Sequence, residues 1–298
     1  MRYFHDLPVW SGLLSCPVVR IDVSTYLSRR RLLGAGAVVG ALALGGSADQ
    51  TSQPPSPPGT PRATAVPRPT APKRRPARPP GLPVLKEPVY TLADYRQAVG
   101  GPAFPSHAIA LTIDDGPHPV WTPKILRLLH KHHVPALFCM IGNQVLGHET
   151  TARDVAKDGH LLANHTWSHP TLLGKRRGRL VSKELHKAQE KIHDTTGREP
   201  VLFRSPGGDW SPTVLGMAAK QGLIPLDWNK DPNDWSRPGV PFITRRLMKA
   251  KPGDILLCHD GGGDRSQTYA ALATVIPALK ARGLQFVALD RKPRPRTT

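Results

Sequence analysis

From residue 90 onward, short apolar runs alternate with longer stretches in which apolar residues recur every three or four positions. The runs Ala108–Ile113, Ala136–Ile141, Gly159–Ala163, Val201–Phe203, Leu223–Trp228, Asp254–Cys258 and Gln285–Leu289 predict strands. The windows Thr122–His133, Thr151–Asp158, Lys183–Thr196, Pro212–Gln221, Phe242–Lys249 and Thr268–Arg282 predict helices with one apolar face. Strand and helix in strict turn imply the α/β class, with a parallel sheet and helices outside it. About seven parallel strands suit a small, distorted (β/α) barrel, in which the loops at the strand C-termini carry the chemistry. No internal repeat of fixed period interrupts the pattern.

Upstream the pattern changes. Ser28-Arg29-Arg30-Arg31-Leu32-Leu33 leads into an apolar run, Gly34–Gly46, and then into small residues at Gly46-Ser47-Ala48. That order predicts an export signal over 1–48. The paired arginines and modest hydrophobicity resemble a twin-arginine signal, which exports proteins already folded. About fifteen apolar residues are short of the roughly 20 that span a bilayer, so a secreted or cell-wall-associated protein is expected. An uncleaved membrane anchor is the alternative. Residues 1–27 are long for such a leader, as expected if translation starts further in. Residues 49–88 follow as a tether. Of 33 prolines, 13 fall between Thr51 and Tyr90, and aliphatic residues are almost lacking before Leu82. Such a segment cannot bury enough surface to offset its ordering entropy, so a disordered linker is expected there. The folded domain is then expected over 89–298.

The net charge is +19 and is spread along the chain. Lys and Arg outnumber Asp and Glu by 5 to 2 in residues 1–48, 7 to 2 in 49–88 and 29 to 18 in 89–298. A basic surface favours a polyanionic neighbour. An anionic cell-wall polymer could meet the Lys73-Arg74-Arg75 cluster of the linker. Nucleic acid is not expected, because no aromatic-studded basic strand or recognition helix is present and the export signal leads away from it. Three cysteines exclude a disulfide scaffold. Cys139 and Cys258 sit in strand-like apolar runs and read as buried thiols.

The polar residues fall where a barrel rim would place them. Asp114 and Asp115 end the first strand, His165 and His169 follow the third, Arg204 the fourth and Asp231 the fifth, and His259 ends the sixth. His165 and His169 have i, i+4 spacing, which predicts both imidazoles on one side of a single helical turn. With Asp115 they form a mixed N/O set suited to Zn²⁺ with an open position for water. Two histidines and a carboxylate also describe non-haem iron sites, although those usually order the three differently. The adjacent Asp114 and Asp115 enter a tight Gly116-Pro117 turn, where one carboxylate can ligate while the other stays free as a base. An ordinary Asp-Gly turn with solvated acids is the alternative.

Leu111-Thr112-Ile113-Asp114-Asp115-Gly116-Pro117 resembles the first motif of the polysaccharide deacetylases, the NodB-like carbohydrate esterase family 4. Asn164-His165-Thr166-Trp167-Ser168-His169-Pro170 resembles the second and Phe203-Arg204-Ser205-Pro206-Gly207-Gly208 the third. Trp228-Asn229-Lys230-Asp231-Pro232-Asn233-Asp234-Trp235 resembles the fourth and Leu257-Cys258-His259-Asp260 the fifth. The resemblance runs from about Ala108 to Leu289, with the motifs in order.

It implies a divalent metal, Zn²⁺ first and Co²⁺ second, held by Asp115, His165 and His169. It implies Asp114 as the base for the attacking water, His259 as the acid for the leaving amine, and a backbone N–H after Pro206 as oxyanion donor. Arg204 would orient Asp114, Asp231 would hold His259 in its cationic form, and Trp235 and Leu257 would wall the acetyl methyl. Gly207 stands where the family usually has an aromatic residue, so one wall of the sugar groove is expected to be missing. The implied reaction is N-deacetylation of an N-acetylglucosamine polymer by a monomer: peptidoglycan first, chitin or chitooligosaccharide second. De-O-acetylation of xylan and a non-catalytic wall-binding role on the same fold are the rivals. Binding alone needs no acid, base and metal together.

Overall fold

The computed structural model describes residues 84–290. The export signal, Cys16 and nearly all of the linker lie outside those residues. Leu85 and Val89 already pack on the domain described below.

The elements run α1 Leu92–Val99, β1 Ala108–Asp114, α2 Trp121–Lys131, β2 Leu137–Met140, α3 Gly142–Val145, α4 Glu149–Lys157, β3 Leu161–Asn164, α5 Gly178–Thr196, β4 Leu202–Phe203, α6 Pro212–Lys220, β5 Ile224–Pro225, α7 Val240–Leu247, β6 Ile255–His259, α8 Ser266–Ala281 and β7 Gln285–Phe286. All strand pairings are parallel, in the order β5-β4-β3-β2-β1-β6, with β7 on the first residues of β1. The seven expected strands are present, but the sheet is a curled half-barrel rather than a closed barrel. Its two edges meet only at a bridge from Lys230 to Leu256. The reason is length: β4 and β5 have two residues each and offer too few ladder groups to close the sheet. None of the described helices is long and apolar enough to cross a membrane.

Every residue of β1 is buried, because the strand separates two cores. Ile109, Leu111 and Ile113 face the helices. Ala108 and Ala110 face the hollow of the curl, with Leu137, Cys139, Ala163, Leu202 and Ile255 from the neighbouring strands. Side chains alternate along a strand, so the inward faces continue upward into Thr112 and Asp114, His165, Arg204, and Leu257 and His259. The polar site is therefore the top layer of the same face whose lower layers are apolar. The floor is closed by Val89, Leu92 and Tyr95. Leu92 and Tyr95 are delivered by α1, whose start is fixed by a reciprocal capping box between Thr91 and Asp94, and Val89 by the segment just before it. Cys139 and Cys258 are free thiols, buried as expected.

Candidate active site and metal centre

By parity, Asp115 should point away from the hollow that Asp114 faces. A left-handed φ of 75° turns it back. Thr166 and His169 are left-handed too, with φ of 66° and 55°, so half of the six such non-glycine residues described here lie in the loops that carry Asp115 and the two histidines. Each costs of order 1 kcal/mol or more, and such strain collects where geometry is functional. Gly116 must lack a side chain, since a Cβ there would overlap the Asp260 carboxyl.

One oxygen of Asp115, Oδ1, lies 3.4 Å from His165 Nε2 and 3.2 Å from His169 Nε2. The three ligand atoms lie within 4.8 Å of one another. Although buried, that oxygen accepts no hydrogen bond of acceptable geometry. His165 shows why. Its Nδ1 is 2.9 Å from the Arg204 carbonyl, which can only accept, so a neutral ring carries its proton there. The Nε2 lone pair then faces a carboxylate. Two acceptors face to face in a buried hollow lack only a cation between them, and one carboxylate with two imidazoles is the donor set of a catalytic zinc site. The three residues fit a divalent metal. The Asp114 and Asp115 carboxylates raise the His165 pKa against its burial. Asp115 is held far below the ordinary carboxylate range, burial opposing and the imidazoles prevailing.

Asp114 is tied differently. Its Oδ1 accepts from Arg204 Nη1 at 2.7 Å, and Oδ2 lies 3.8 Å from His165 Nε2. Arg204 is fully buried and spends its other donors on Thr112 Oγ1, the Asp227 carbonyl and the Leu226 carbonyl. Burial works against its charge, but the Asp114 carboxylate outweighs that and raises its pKa. One oxygen of Asp114 is thus fixed and the other is free toward the hollow.

The fourth motif requires a correction. The residue that holds His259 is Asp234, not Asp231. His259 Nδ1 is 2.8 Å from Asp234 Oδ1, and the His259 amide donates to Asp234 Oδ2 at 2.9 Å. Thr268 Oγ1 supports the same oxygen at 2.8 Å. Asp231 instead closes an Asx turn, accepting from the Asn233 amide at 2.6 Å. Burial depresses the imidazole pKa, but the hydrogen bond and charge of Asp234 override it and raise His259 to about 9. His259 therefore carries its proton at neutral pH, with Nε2 free of Asp234.

Around this centre, Trp235 stands at the rim, 54% exposed, and Leu257 lies buried two residues below His259 on the same face. Gly207 sits in the turn Pro206–Gly208 with φ of 62°, and a Cβ there would point into open space. No wall stands at that position. The amides of Gly208 and Asp209 bond the Ser205 and Pro206 carbonyls. Among the described residues the Gly207 amide makes no such bond within the turn.

Three further residues support the site, and of these only Asp260 falls inside a motif. Asp260, pushed up to about 7 by burial, bonds Thr122 beneath the Asp115 loop. Asp227, raised to about 6 by burial, accepts from the Trp210 indole at 2.8 Å and so fixes the loop after Gly208. Glu184 on α5 grips Ser168, between the two histidines, by the backbone amide at 2.7 Å and the hydroxyl at 2.9 Å. That clamp orients His169, whose own Nδ1 has no protein partner among the described residues. Replacing Glu184 by alanine should weaken zinc binding by about 10–100-fold, as loss of supporting contacts to metal ligands commonly does. Competition against a chromophoric chelator would measure it, and glutamine at 184 should restore most of the affinity.

Residues 102–225 match the family model for polysaccharide deacetylases. The chain is 41% identical over 185 residues to a peptidoglycan-N-acetylglucosamine deacetylase of Bacillus cereus, covering 61% of this chain and 86% of that protein. It is 39% identical over 195 residues to a chitooligosaccharide deacetylase of Azorhizobium caulinodans, covering 61% and 92%. Among solved structures it resembles a peptidoglycan N-acetylglucosamine deacetylase crystallised with a naphthyl-substituted N-hydroxybenzamide. The TM-score is 0.61 at 31% identity, over 67% of this chain and 90% of that one.

Proposed function

The chain belongs to the polysaccharide deacetylase family, and from that premise we propose that it is an exported, zinc-dependent hydrolase that removes acetyl groups from the N-acetylglucosamine residues of peptidoglycan. The observation that carries the reading is one hollow holding two separate sets of groups. Asp115, His165 and His169 face one another as acceptors without a donor. Asp114 and His259 are each fixed at one atom and free at the other.

When bound to Asp115, His165 and His169, a divalent cation supplies a Lewis acid for the acetyl carbonyl and lowers the pKa of water from about 15.7 toward about 7. Asp114 accepts the proton of the attacking water at Oδ2, while Arg204 keeps Oδ1 in place. The Gly207 N–H meets the oxyanion as the carbonyl carbon becomes tetrahedral. As the C–N bond breaks, His259 gives the proton on Nε2 to the departing nitrogen, leaving acetate and a free amine. Asp234 holds His259 protonated until that step. Trp235 and Leu257 border the acetyl methyl. An amide nitrogen leaves only once protonated, and a protonated His259 meets that need.

Peptidoglycan is placed before chitooligosaccharide on three grounds: the Arg29-Arg30-Arg31 export signal, the Pro-rich tether and the cationic surface. The enzyme acts as a monomer in or near the wall. Acetate release from purified peptidoglycan, chitooligosaccharides and acetylxylan tests the reading. The highest kcat/KM is expected on peptidoglycan. A preference for acetylxylan would overturn the amide assignment, and a preference for chitooligosaccharide would overturn the choice of polymer.

A further inference from the structure

We propose that the outer face of α5 and the loop before it form a cationic rail that binds the carboxylates of the peptide stems on a peptidoglycan strand, extending recognition beyond the acetylated sugar. The inference rests on the peptidoglycan reading above and deepens it.

The rail has six cations. Lys175, Arg176 and Arg177 occupy the loop, and Arg179, Lys183 and Lys187 follow on α5 at intervals of four residues. That spacing puts the last three in one row, about 12 Å long at 1.5 Å per residue. All six side chains are exposed. Among the described residues none of them forms an ion pair. The first turn of α5 carries no acidic residue. The nearby acids are engaged elsewhere, Glu184 with Ser168 and Asp209 with the Gly174 amide, so the row keeps its cations unpaired.

Its place relative to the site follows from the helix direction. Strands β3 and β4 are parallel, so α5 between them runs back from the rim toward the floor. Asn164, the last residue of β3, donates to the Leu185 carbonyl at 2.8 Å and to Gln189 Oε1 at 3.0 Å. Residues 185–189 are thus level with the strand end. The turns that carry Arg179 and Lys183 stand above it, on the side where substrate must approach. The row ends against the loop that carries the two histidines, for Lys187 Nζ lies 4.0 Å from the ring of Trp167, which stands between His165 and His169 in sequence. The loop end is fixed as well. The Gly174 amide donates at 2.7 Å to Asp209, two residues beyond Gly207.

A neutral chitin chain offers nothing to such a row. A glycan strand with peptide stems offers a carboxylate beside nearly every second sugar. The test uses the full chain with zinc. Its substrates are a peptidoglycan fragment with free stem carboxylates, the same fragment with those carboxylates amidated, and N-acetylglucosamine pentamer. Arg176→Glu, Arg177→Glu, Arg179→Glu and Lys183→Glu are combined in one variant. Acids near a helix N-terminus are favourable, so the fold should hold. A variant with glutamine at the same four positions serves as a milder check.

The wild type should prefer the free-carboxylate fragment to the amidated one by roughly tenfold in KM. Raising salt toward 1 M, where the screening length falls to about 3 Å, should erase that preference. The glutamate variant should lose it altogether while hydrolysing the pentamer within about twofold of wild type. Equal KM for free and amidated fragments in the wild type would overturn the rail and leave the peptidoglycan reading standing. So would an unchanged preference in the variant. Failure to release acetate from either fragment, with the pentamer still hydrolysed, would overturn both.

Discussion

Replacing Arg204 by methionine should lower the stability of the domain by about 3–5 kcal/mol, the usual effect of removing one partner of a buried ion pair. For a domain of this size that is a fall in Tm on the order of 10 °C or more. Arg204 is fully buried, and its departure strands the Asp114 carboxylate, which is itself 2% exposed, together with the Leu226 and Asp227 carbonyls. Methionine fills the volume and answers none of these acceptors. The expected rescue is specific. Adding Asp114→Leu removes the stranded charge, so the double variant should melt above the single one, because paired buried charges are often replaceable by apolar residues at little cost. Activity should not return with it.

Asp114→Asn separates the two roles of the pair. The amide oxygen can still accept from Arg204, so Tm should fall by much less, while kcat should fall by about 10²–10⁴ with zinc still bound. A Tm within about 2 °C of wild type for Arg204→Met would show that the pair is not structural. An unchanged kcat for Asp114→Asn would remove Asp114 from the reaction. On the expected outcome, the buried pair persists because the chemistry requires a fixed carboxylate, at a cost that an apolar core would avoid.

How far the site could be read from the sequence depended on what fixed each residue. Asp114, His165, Arg204 and His259 end or directly follow strands, so the two-residue period that predicts the strands also points these side chains into one hollow. Asp115 breaks that period, and only its left-handed φ brings it to the histidines. The segment after β5 has no period at all, so spacing does not distinguish Asp231 from Asp234 as the partner of His259. Between Asp231 and Arg237 the chain takes two left-handed steps, at Asn233 and Arg237. Two acids three residues apart cannot be told apart by register there. A local signal was available, for Asp-Pro-Asn is an Asx-turn sequence, and an aspartate closing its own turn is not free for a distant histidine. Helix α1 is absent from the predicted helices because its eight residues give too short a periodic signal; the capping pair Thr91 and Asp94 marks its start in the structure. Glu184 and Asp260 act across gaps of 16 and 138 residues, which no local pattern reports. The half-barrel followed from strands of two residues, shorter than the apolar runs that predicted them.

Asp234→Asn should have a large effect on the reaction and should show it as a displaced pH profile. His259 is buried, and burial alone drives an imidazole below its ordinary pKa near 6.5. The Asp234 carboxylate reverses that, through a hydrogen bond to Nδ1 and its charge, and raises the group to about 9. Asparagine keeps one acceptor but loses the charge. Its amide nitrogen must also face a donor, because Asp234 takes the His259 amide on one oxygen and the ring Nδ1–H on the other. At pH 7.5 the imidazole of the variant should be neutral, with no proton for the leaving amine, and kcat should fall by about 10²–10⁴. The alkaline limb of the profile should move to lower pH, so the variant gains relative activity as the pH is lowered.

Stability should follow the same group. The folded pKa of His259 lies above its unfolded value, so the contribution of the pair is fully present below about pH 6.5 and is lost as the pH rises through about 9. The wild type should lose that increment of Tm on the alkaline side, and Asp234→Asn should show no such loss. Asp231→Asn is the control. Its carboxylate closes the turn at Asn233, so the alkaline limb should stay in place. Zinc affinity should be unchanged in both variants, because Asp115, His165 and His169 are untouched. A limb that moves in Asp231→Asn and stays in Asp234→Asn would exchange the two assignments. A limb that survives in His259→Ala would show that some other group supplies the proton.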